Sequence, residues 1–130
     1  MIPRYRAWKK AGKELGRVGQ ITFELDGSVS HVLFKGKFLD FNVPINEIEL
    51  MQSTGLFDRN GKEIFEGDIL DYRGRKALVR WHGSYASFIY RFVDEPHKQK
   101  AEWKPLYLAY MKCEIIGNIY ENPEFLEDKK

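Results

Sequence analysis

Apolar and polar residues alternate with a period of two along most of this chain, and glycine-containing turns separate the alternating segments. A period of two places successive side chains on opposite faces of a β-strand, whereas an amphipathic helix requires a period near 3.6. The pattern therefore predicts an all-β fold built from short strands. The predicted strands are residues 4–8, 21–25, 29–34, 38–41, 47–50, 64–65, 69–72, 77–81, 87–93 and 113–120.

Turn residues divide these strands at positions that can be predicted individually. Asp26-Gly27 and Asn60-Gly61 supply the positive φ angles that a two-residue hairpin loop requires. Gly67 lacks a Cβ and predicts a sharp bend, and Asp68 after it is predicted to accept hydrogen bonds from amides of its own turn. The residues to which we assign such a structural turn role are Asn60, Gly61, Gly67 and Asp68.

Other segments predict breaks in the sheet or a buried position. Residues 9–19 contain three glycines and predict a flexible loop after the first strand. Ser53-Thr-Gly55 predicts the end of a strand, the polar residues 94–105 predict a mobile linker, and Asn122-Pro-Glu124 predicts a capped helical turn. Trp81 falls at core-facing parity in its strand, so we expect it to be buried.

Three blocks of the chain resemble the YopX family, whose members are small proteins encoded mostly by phages and prophages. The blocks are RYRAW (residues 4–8), INEIELMQSTGLFDRNGKEIFEGDIL (45–70) and EIIGNIYENPEFLE (114–127). The resemblance implies a core similar to an SH3-type barrel in residues 45–120. On this basis we expect a YopX-like barrel over residues 45–130, with an N-terminal β-hairpin appendage over residues 1–44 and a short helical turn near the C-terminus.

Composition fits one small protein of the bacterial cytoplasm. A length of 130 residues is typical of one main domain. The net charge is only +2, which by itself indicates neither a nucleic-acid nor a membrane partner. Cys113 is the only cysteine, so no intrachain disulfide can form, and its alternating strand predicts a buried thiol. No segment approaches the roughly 20 apolar residues that span a bilayer.

Catalysis requires titratable groups held together, and the sequence contains no recognised catalytic motif. Asp58-Arg-Asn60 is similar to the middle of a calcium loop, but in that register a leucine and a glycine occupy the first and last ligand positions. The three histidines and the single cysteine are not spaced as zinc ligands. We therefore expect a protein without catalytic residues, metal or other cofactor. The titratable side chains that catalysis could use are Asp58, Glu63, Glu66, Asp68, His31, His82 and His97.

Binding is the remaining class of function, and two kinds of partner stay open. Apolar residues between positions 21 and 41 exceed what a small hairpin can bury alone, which favours a homo-oligomer or a host or phage protein as partner. Basic and aromatic residues near loops instead favour single-stranded nucleic acid. The candidate binding residues are Arg73, Arg75, Lys76, Tyr85, Lys98, Lys100 and Trp103.

Overall fold

A computed structural model describes residues 4–94 and 103–127 and shows an all-β protein, as the alternation predicts. All strand pairings among these residues are antiparallel. Short 3₁₀ turns provide the helical content. The strands are β1 (Tyr5–Lys9), β2 (Glu14–Phe23), β3 (Val29–Lys35), β4 (Asp40–Pro44), β5 (Ile48–Phe57), β6 (Glu63–Phe65), β7 (Asp68–Tyr72), β8 (Arg75–His82), β9 (Ser87–Phe92), β10 (Lys104–Pro105) and β11 (Cys113–Asn118).

The first compact unit, Met1–Gln52, contains one sheet with the strand order β4-β3-β2-β1-β5. Strands β1 to β4 form a meander, and the first half of β5 returns to pair with β1. A 3₁₀ turn, Ile45–Glu47, joins β4 to β5. The unit has its own hydrophobic core, formed by Ala7, Val32, Phe34, Val43 and Ile48.

The connection from β4 to β5 requires this sheet to curl. Pro44 and Ile48, the ends to be joined, are separated by the three residues of the 3₁₀ turn, so their Cα atoms lie at most about 14 Å apart. The two strands stand at opposite edges of the sheet, and four inter-strand spacings would separate those edges by about 19 Å in a flat sheet. The curled sheet encloses the apolar side chains on one of its own faces.

The second unit, Ser53–Lys130, repeats the strand order of the first, as β10-β9-β8-β7-β11. Strands β7 to β10 form a meander, and β11 pairs with β7 after two 3₁₀ turns, Leu106–Leu108 and Tyr110–Lys112. The second half of β5 pairs with β6 in this unit. Its core is formed by Ile64, Leu70, Ala77, Val79, Tyr90, Phe92, Leu106, Ala109 and Cys113.

The strand order is open in both sheets among the described residues, so the pairings do not confirm a closed SH3-type barrel. The division between the units falls after Gln52, whereas the sequence analysis placed it after residue 44. The difference arises because the first half of β5 pairs with β1, which makes residues 48–52 part of the N-terminal unit. Residues 1–44 therefore contribute four strands to a larger sheet, in which β1 also pairs with β5.

Most predicted turns are confirmed by backbone geometry. Gly27, Gly61 and Gly67 all have positive φ, at 89°, 81° and 87°. Arg73 and Gly74 also have positive φ, at 52° and 86°, the combination of a type I′ hairpin turn. Both the Asp26-Gly27 and the Asn60-Gly61 loops are longer than the predicted two residues, because the amides of Glu24 and Asp58 donate across them to the carbonyls of Ser28 and Lys62.

The flexible loop predicted for residues 9–19 is wrong, because β2 begins at Glu14 and contains both Gly16 and Gly19. A Cβ placed on Gly16 would lie 2.5 Å from Cζ of Phe34 and 2.6 Å from the carbonyl oxygen of Lys35. Glycine in this strand thus permits close approach of β3, and does not mark a loop.

Two further predictions are wrong: the end of a strand at residues 53–55 and the burial of Trp81. Residues 53–55 do not end a strand, because β5 continues to Phe57 with an irregular register against β6 and a positive φ of 75° at Gly55. Trp81 is 45% exposed, although it shares the parity of buried Ala77 and Val79, because it lies at the end of β8 and contacts Phe88 at its edge.

The C-terminal turn forms without the predicted side-chain cap. Pro123–Leu126 is a 3₁₀ turn after Asn122, but the side-chain oxygen of Asn122 accepts the amide of Asn118 instead of an amide of the turn. The linker predicted for residues 94–105 lies partly outside the described residues. Its last two residues form β10.

Candidate functional site

The exposed apolar residues of the first unit form two groups, one at each end of β3. Phe23 ends β2 and Leu25 lies in the β2–β3 turn, whereas the second group lies in the β3–β4 connection and on β4. We call this second group the apolar cluster; it consists of Phe38, Leu39 and Phe41. The structure thus separates the apolar surface that the sequence analysis treated as one region spanning residues 21–41.

The apolar cluster is held in place by the turn that precedes it. The amide of Gly36 donates to the carbonyl of Leu39 at 3.0 Å, and the amide of Lys37 donates to the carboxylate of Glu14. These bonds project Phe38 and Leu39 outward, with 86% and 64% of their surfaces exposed. Exposed phenylalanine and leucine side chains grouped beside one another favour burial against another protein.

The basic turn between β7 and β8 carries three of the candidate binding residues, and each of its cations lies over an aromatic ring. Arg73 lies 5.7 Å from the ring centre of Tyr72, and Lys76 lies 5.6 Å from that of Phe125. Arg75 stacks 3.7 Å from the ring centre of Phe92. These contacts hold the cations along the protein surface.

Carboxylates neutralise part of this basic turn. Arg75 donates to both carboxylate oxygens of Asp94, at 2.8 and 3.3 Å, and this hydrogen bonding lowers the pKa of Asp94. A cavity of about 300 Å³ beside the turn is also lined by Glu124 and Glu127. The local surface therefore mixes both signs of charge.

The other candidate binding residues are not assembled around the basic turn. Tyr85 is exposed and stacks on His82 with ring centres 4.2 Å apart, at the opposite end of β8 from Arg75. Trp103 is half-buried and lies under the guanidinium of Arg91 at 5.4 Å. Lys98 and Lys100 lie outside the described residues.

Asp68 makes the local contact expected of a structural turn residue. It is 1% exposed, and its carboxylate accepts the amide of Phe65 at 2.8 Å, across the bend at Gly67.

Replacing Asp68 by alanine is expected to lower the free energy of unfolding by about 2 kcal/mol, because the amide of Phe65 loses a charged acceptor. Urea denaturation followed by tryptophan fluorescence measures the change. Asp71→Ala is the matched control, since Asp71 accepts the amide of Gly74 at an exposed turn. Equal stability of Asp68→Ala and the native chain would contradict the structural role.

Asp58 is the residue whose importance the sequence analysis missed. Its carboxylate accepts three backbone amides, those of Asn60, Lys62 and Ile115, each at 2.9 Å. Desolvation is the largest single effect and raises the pKa of Asp58, but the three amide bonds and nearby Lys62 together hold it below its usual value. Asp58 thus ties the β5–β6 loop to β11, and the Asp-x-Asn spacing that is similar to a calcium loop is an amide-binding turn.

Other potentially reactive groups are buried or dispersed. Within residues 4–94 and 103–127, no group of three histidine, cysteine, aspartate or glutamate side chains is placed to hold a metal ion. Cys113 is buried, and desolvation raises the pKa of its thiol to about 11. No helix in this part of the chain is long and apolar enough to cross a membrane.

Comparisons with known proteins identify relatives of this chain. A family model described as "YopX protein" matches residues 4–127. The crystal structure of protein EF1440 from Enterococcus faecalis is similar over 98% of this chain and 99% of that chain, with 28% sequence identity and a TM-score of 0.67. No curated protein shows significant similarity to the sequence.

Proposed function

The chain belongs to the YopX family, and on that premise we propose that it is a non-catalytic protein-interaction module that assembles with copies of itself. The apolar cluster is the observation that carries this proposal, because two of its side chains are more than 60% exposed. Removing such side chains from water stabilises an interface by about 25 cal/mol for each Å² buried. Most soluble oligomers are homo-oligomers, so a second copy of the chain is the first partner to consider.

Family membership and fold support an interaction role in a bacterial cell that carries a phage or prophage. In each unit four strands form a meander and a later strand pairs with the first strand of that meander, and we propose that both units are variants of the SH3-type barrel. Small barrels of this kind commonly present loops and sheet edges to protein partners. A phage or host protein is the alternative occupant of the apolar cluster.

The contacts around the basic turn favour a protein partner over nucleic acid. Bases stack on free aromatic faces in proteins that bind single strands, whereas Arg73 and Arg75 lie over the faces of Tyr72 and Phe92. Asp94 also accepts hydrogen bonds from two nitrogens of Arg75, which reduces what this guanidinium can offer to a phosphate. With a net charge of +2, little counterion release remains to drive binding.

Self-assembly can be tested by replacing one residue of the apolar cluster. We expect sedimentation equilibrium to show an oligomer for the native chain and at least tenfold weaker association for Phe38→Asp, since a charge at an apolar interface carries a desolvation penalty. Leu25→Asp is the matched control, because Leu25 is an exposed leucine in the same unit at the opposite end of β3.

Three results would contradict the proposal. A native chain that sediments as a monomer at high concentration would exclude self-assembly. Equal association of Phe38→Asp and the native chain would exclude the apolar cluster as the interface. Equal weakening by Leu25→Asp would show that general surface hydrophobicity, and not this cluster, drives association.

A further inference from the structure

Strand β4 presents an exposed edge directly beside the apolar cluster. Among the described residues, β4 pairs only with β3, and four of its five residues are exposed, with Val43 the buried one. An unpaired edge of this kind can accept another strand through its backbone groups. The chemistry of the edge then decides which strand fits.

Parity along β4 identifies the backbone groups that face outward. The amide of Gly36 donates to the carbonyl of Leu39, and antiparallel pairs alternate between bonded and non-bonded residues. The register pairs Phe41 with Phe34 and Val43 with Val32 without a bulge. The backbone N–H and C=O groups of Phe41 and Val43 therefore point toward β3. Asp40 and Asn42 consequently direct both their N–H and C=O groups away from the sheet.

Pro44 agrees with this assignment. It has the same parity as Asp40 and Asn42, and proline has no N–H to donate. Proline in a sheet is tolerated where the missing N–H would have faced solvent at an edge. The outward edge of β4 therefore offers a complete set of donors and acceptors at residues 40 and 42, and only an acceptor at residue 44.

We propose that β4 pairs antiparallel with β4 of a second copy of this chain, about a two-fold axis that passes through Phe41. This inference rests on the proposed self-assembly and specifies its geometry. Asp40 of each copy then faces Asn42 of the other, and the two pairs make four backbone hydrogen bonds. These bonds use every outward N–H and C=O of Asp40 and Asn42.

Side chains are also complementary in this register. The two Phe41 rings occupy a non-hydrogen-bonded pair, where side chains on neighbouring strands approach most closely. Leu39 of one copy lies beside Val43 of the other, on the same face as Phe41. This contact covers Leu39, an exposed residue of the apolar cluster. On the opposite face, Asp40 meets uncharged Asn42, so no like charges are opposed.

The register with its two-fold axis through Phe41 fits better than the neighbouring register with its axis through Asn42. An axis through Asn42 would place the C=O of Asp40 opposite Pro44, which cannot donate to it. That arrangement would leave one acceptor unpaired in each copy.

Disulfide trapping tests the register directly. Facing residues on antiparallel strands have Cα atoms about 5.5 Å apart, within disulfide range, whereas diagonal neighbours lie about 7–8 Å apart, beyond it. We expect an oxidised mixture of Asp40→Cys and Asn42→Cys chains to form a cross-linked heterodimer. Neither variant alone should cross-link, and native Cys113 supplies no background because it is buried.

Three outcomes of this experiment are distinguishable. No cross-link in the mixture, with a native chain that is still an oligomer, would overturn β4 pairing but leave self-assembly intact. Cross-linking of Asn42→Cys alone would overturn the register by placing Asn42 on the axis. A monomeric native chain would overturn both this inference and the proposed function.

A backbone variant provides an independent test. Asn42→Pro removes the outward N–H without removing a bond to β3, so two interchain hydrogen bonds are lost, and we expect association to weaken about 30-fold to 100-fold. Asn42→Ala keeps the N–H and should change association less than fivefold. Similar association of Asn42→Pro, folded by circular dichroism, and Asn42→Ala would overturn the proposed pairing.

Discussion

Replacing Asp58 by alanine is expected to destabilise the protein by about 3–5 kcal/mol, because three backbone amides would lose one charged acceptor. Asp58 itself is only 5% exposed, so water enters poorly to replace the carboxylate. Urea denaturation at neutral pH measures the loss. Asp26→Ala is the matched control, since the carboxylate of Asp26 also accepts local bonds but lies in an exposed turn.

The same interaction predicts how stability changes with pH. The pKa of Asp58 is lowered in the folded protein, so its contribution is present above the unfolded pKa, near 3.9. That contribution is lost as the pH falls through the lower, folded pKa. Below about pH 4, the native chain should therefore lose stability more steeply than Asp58→Asn, whose side chain cannot be protonated in this range. Parallel pH profiles of the two proteins would contradict this role of the Asp58 charge.

Gly16→Ala is expected to lower the free energy of unfolding by about 2–4 kcal/mol, because the new methyl group would overlap its neighbours. The added Cβ would lie 2.6 Å from the backbone oxygen of Lys35, which cannot move aside as a side chain can, and 2.5 Å from buried Phe34. Thermal unfolding followed by circular dichroism measures the effect.

Gly83→Ala is the control for this substitution. A Cβ at Gly83 meets no atom within 4 Å and requires no positive φ, so the variant should match the native melting temperature. If Gly16→Ala were as stable as Gly83→Ala, then β2 and β3 would not approach as closely as the structure shows.

Local pattern was sufficient for the strands and for most turns. The positions of the turn at Asp26-Gly27 and of the bend at Gly67 follow from residue chemistry within a few positions, and both glycines have positive φ, although the first turn is one residue longer than predicted. Burial of Cys113 also follows from alternation in its strand.

Features that depend on distant residues could not be predicted in this way. The amide that completes the Asp58 site belongs to Ile115, which is 57 positions away. Gly16 lies in β2 close against Phe34, and no local signal distinguishes a glycine that permits close packing from one that begins a loop. Trp81 has the parity of a core residue, but exposure depends on how far the covering elements extend.

In the candidate site too, some features follow from local residues and others depend on distant ones. The sequence indicated an excess of apolar residues between positions 21 and 41, but only the turn at Gly36 places Phe38 and Leu39 beside the edge of β4. Arg73, Arg75 and Lys76 were candidate binding residues by their local chemistry, yet the pairing of Arg75 with Asp94 depends on a residue 19 positions later.

The arrangement of the two units has a consequence for the nascent chain on the ribosome. Strands β1 to β4 and the part of β5 that pairs with β1 all lie in one continuous segment that ends at Gln52, so their hydrogen bonds can form while the rest of the polypeptide is still being translated. The second sheet cannot be completed until β11 has been made, because this last strand pairs with β7 and supplies an amide to Asp58. Synthesis from the N-terminus therefore allows the edge of β4 to form before the second sheet can be completed.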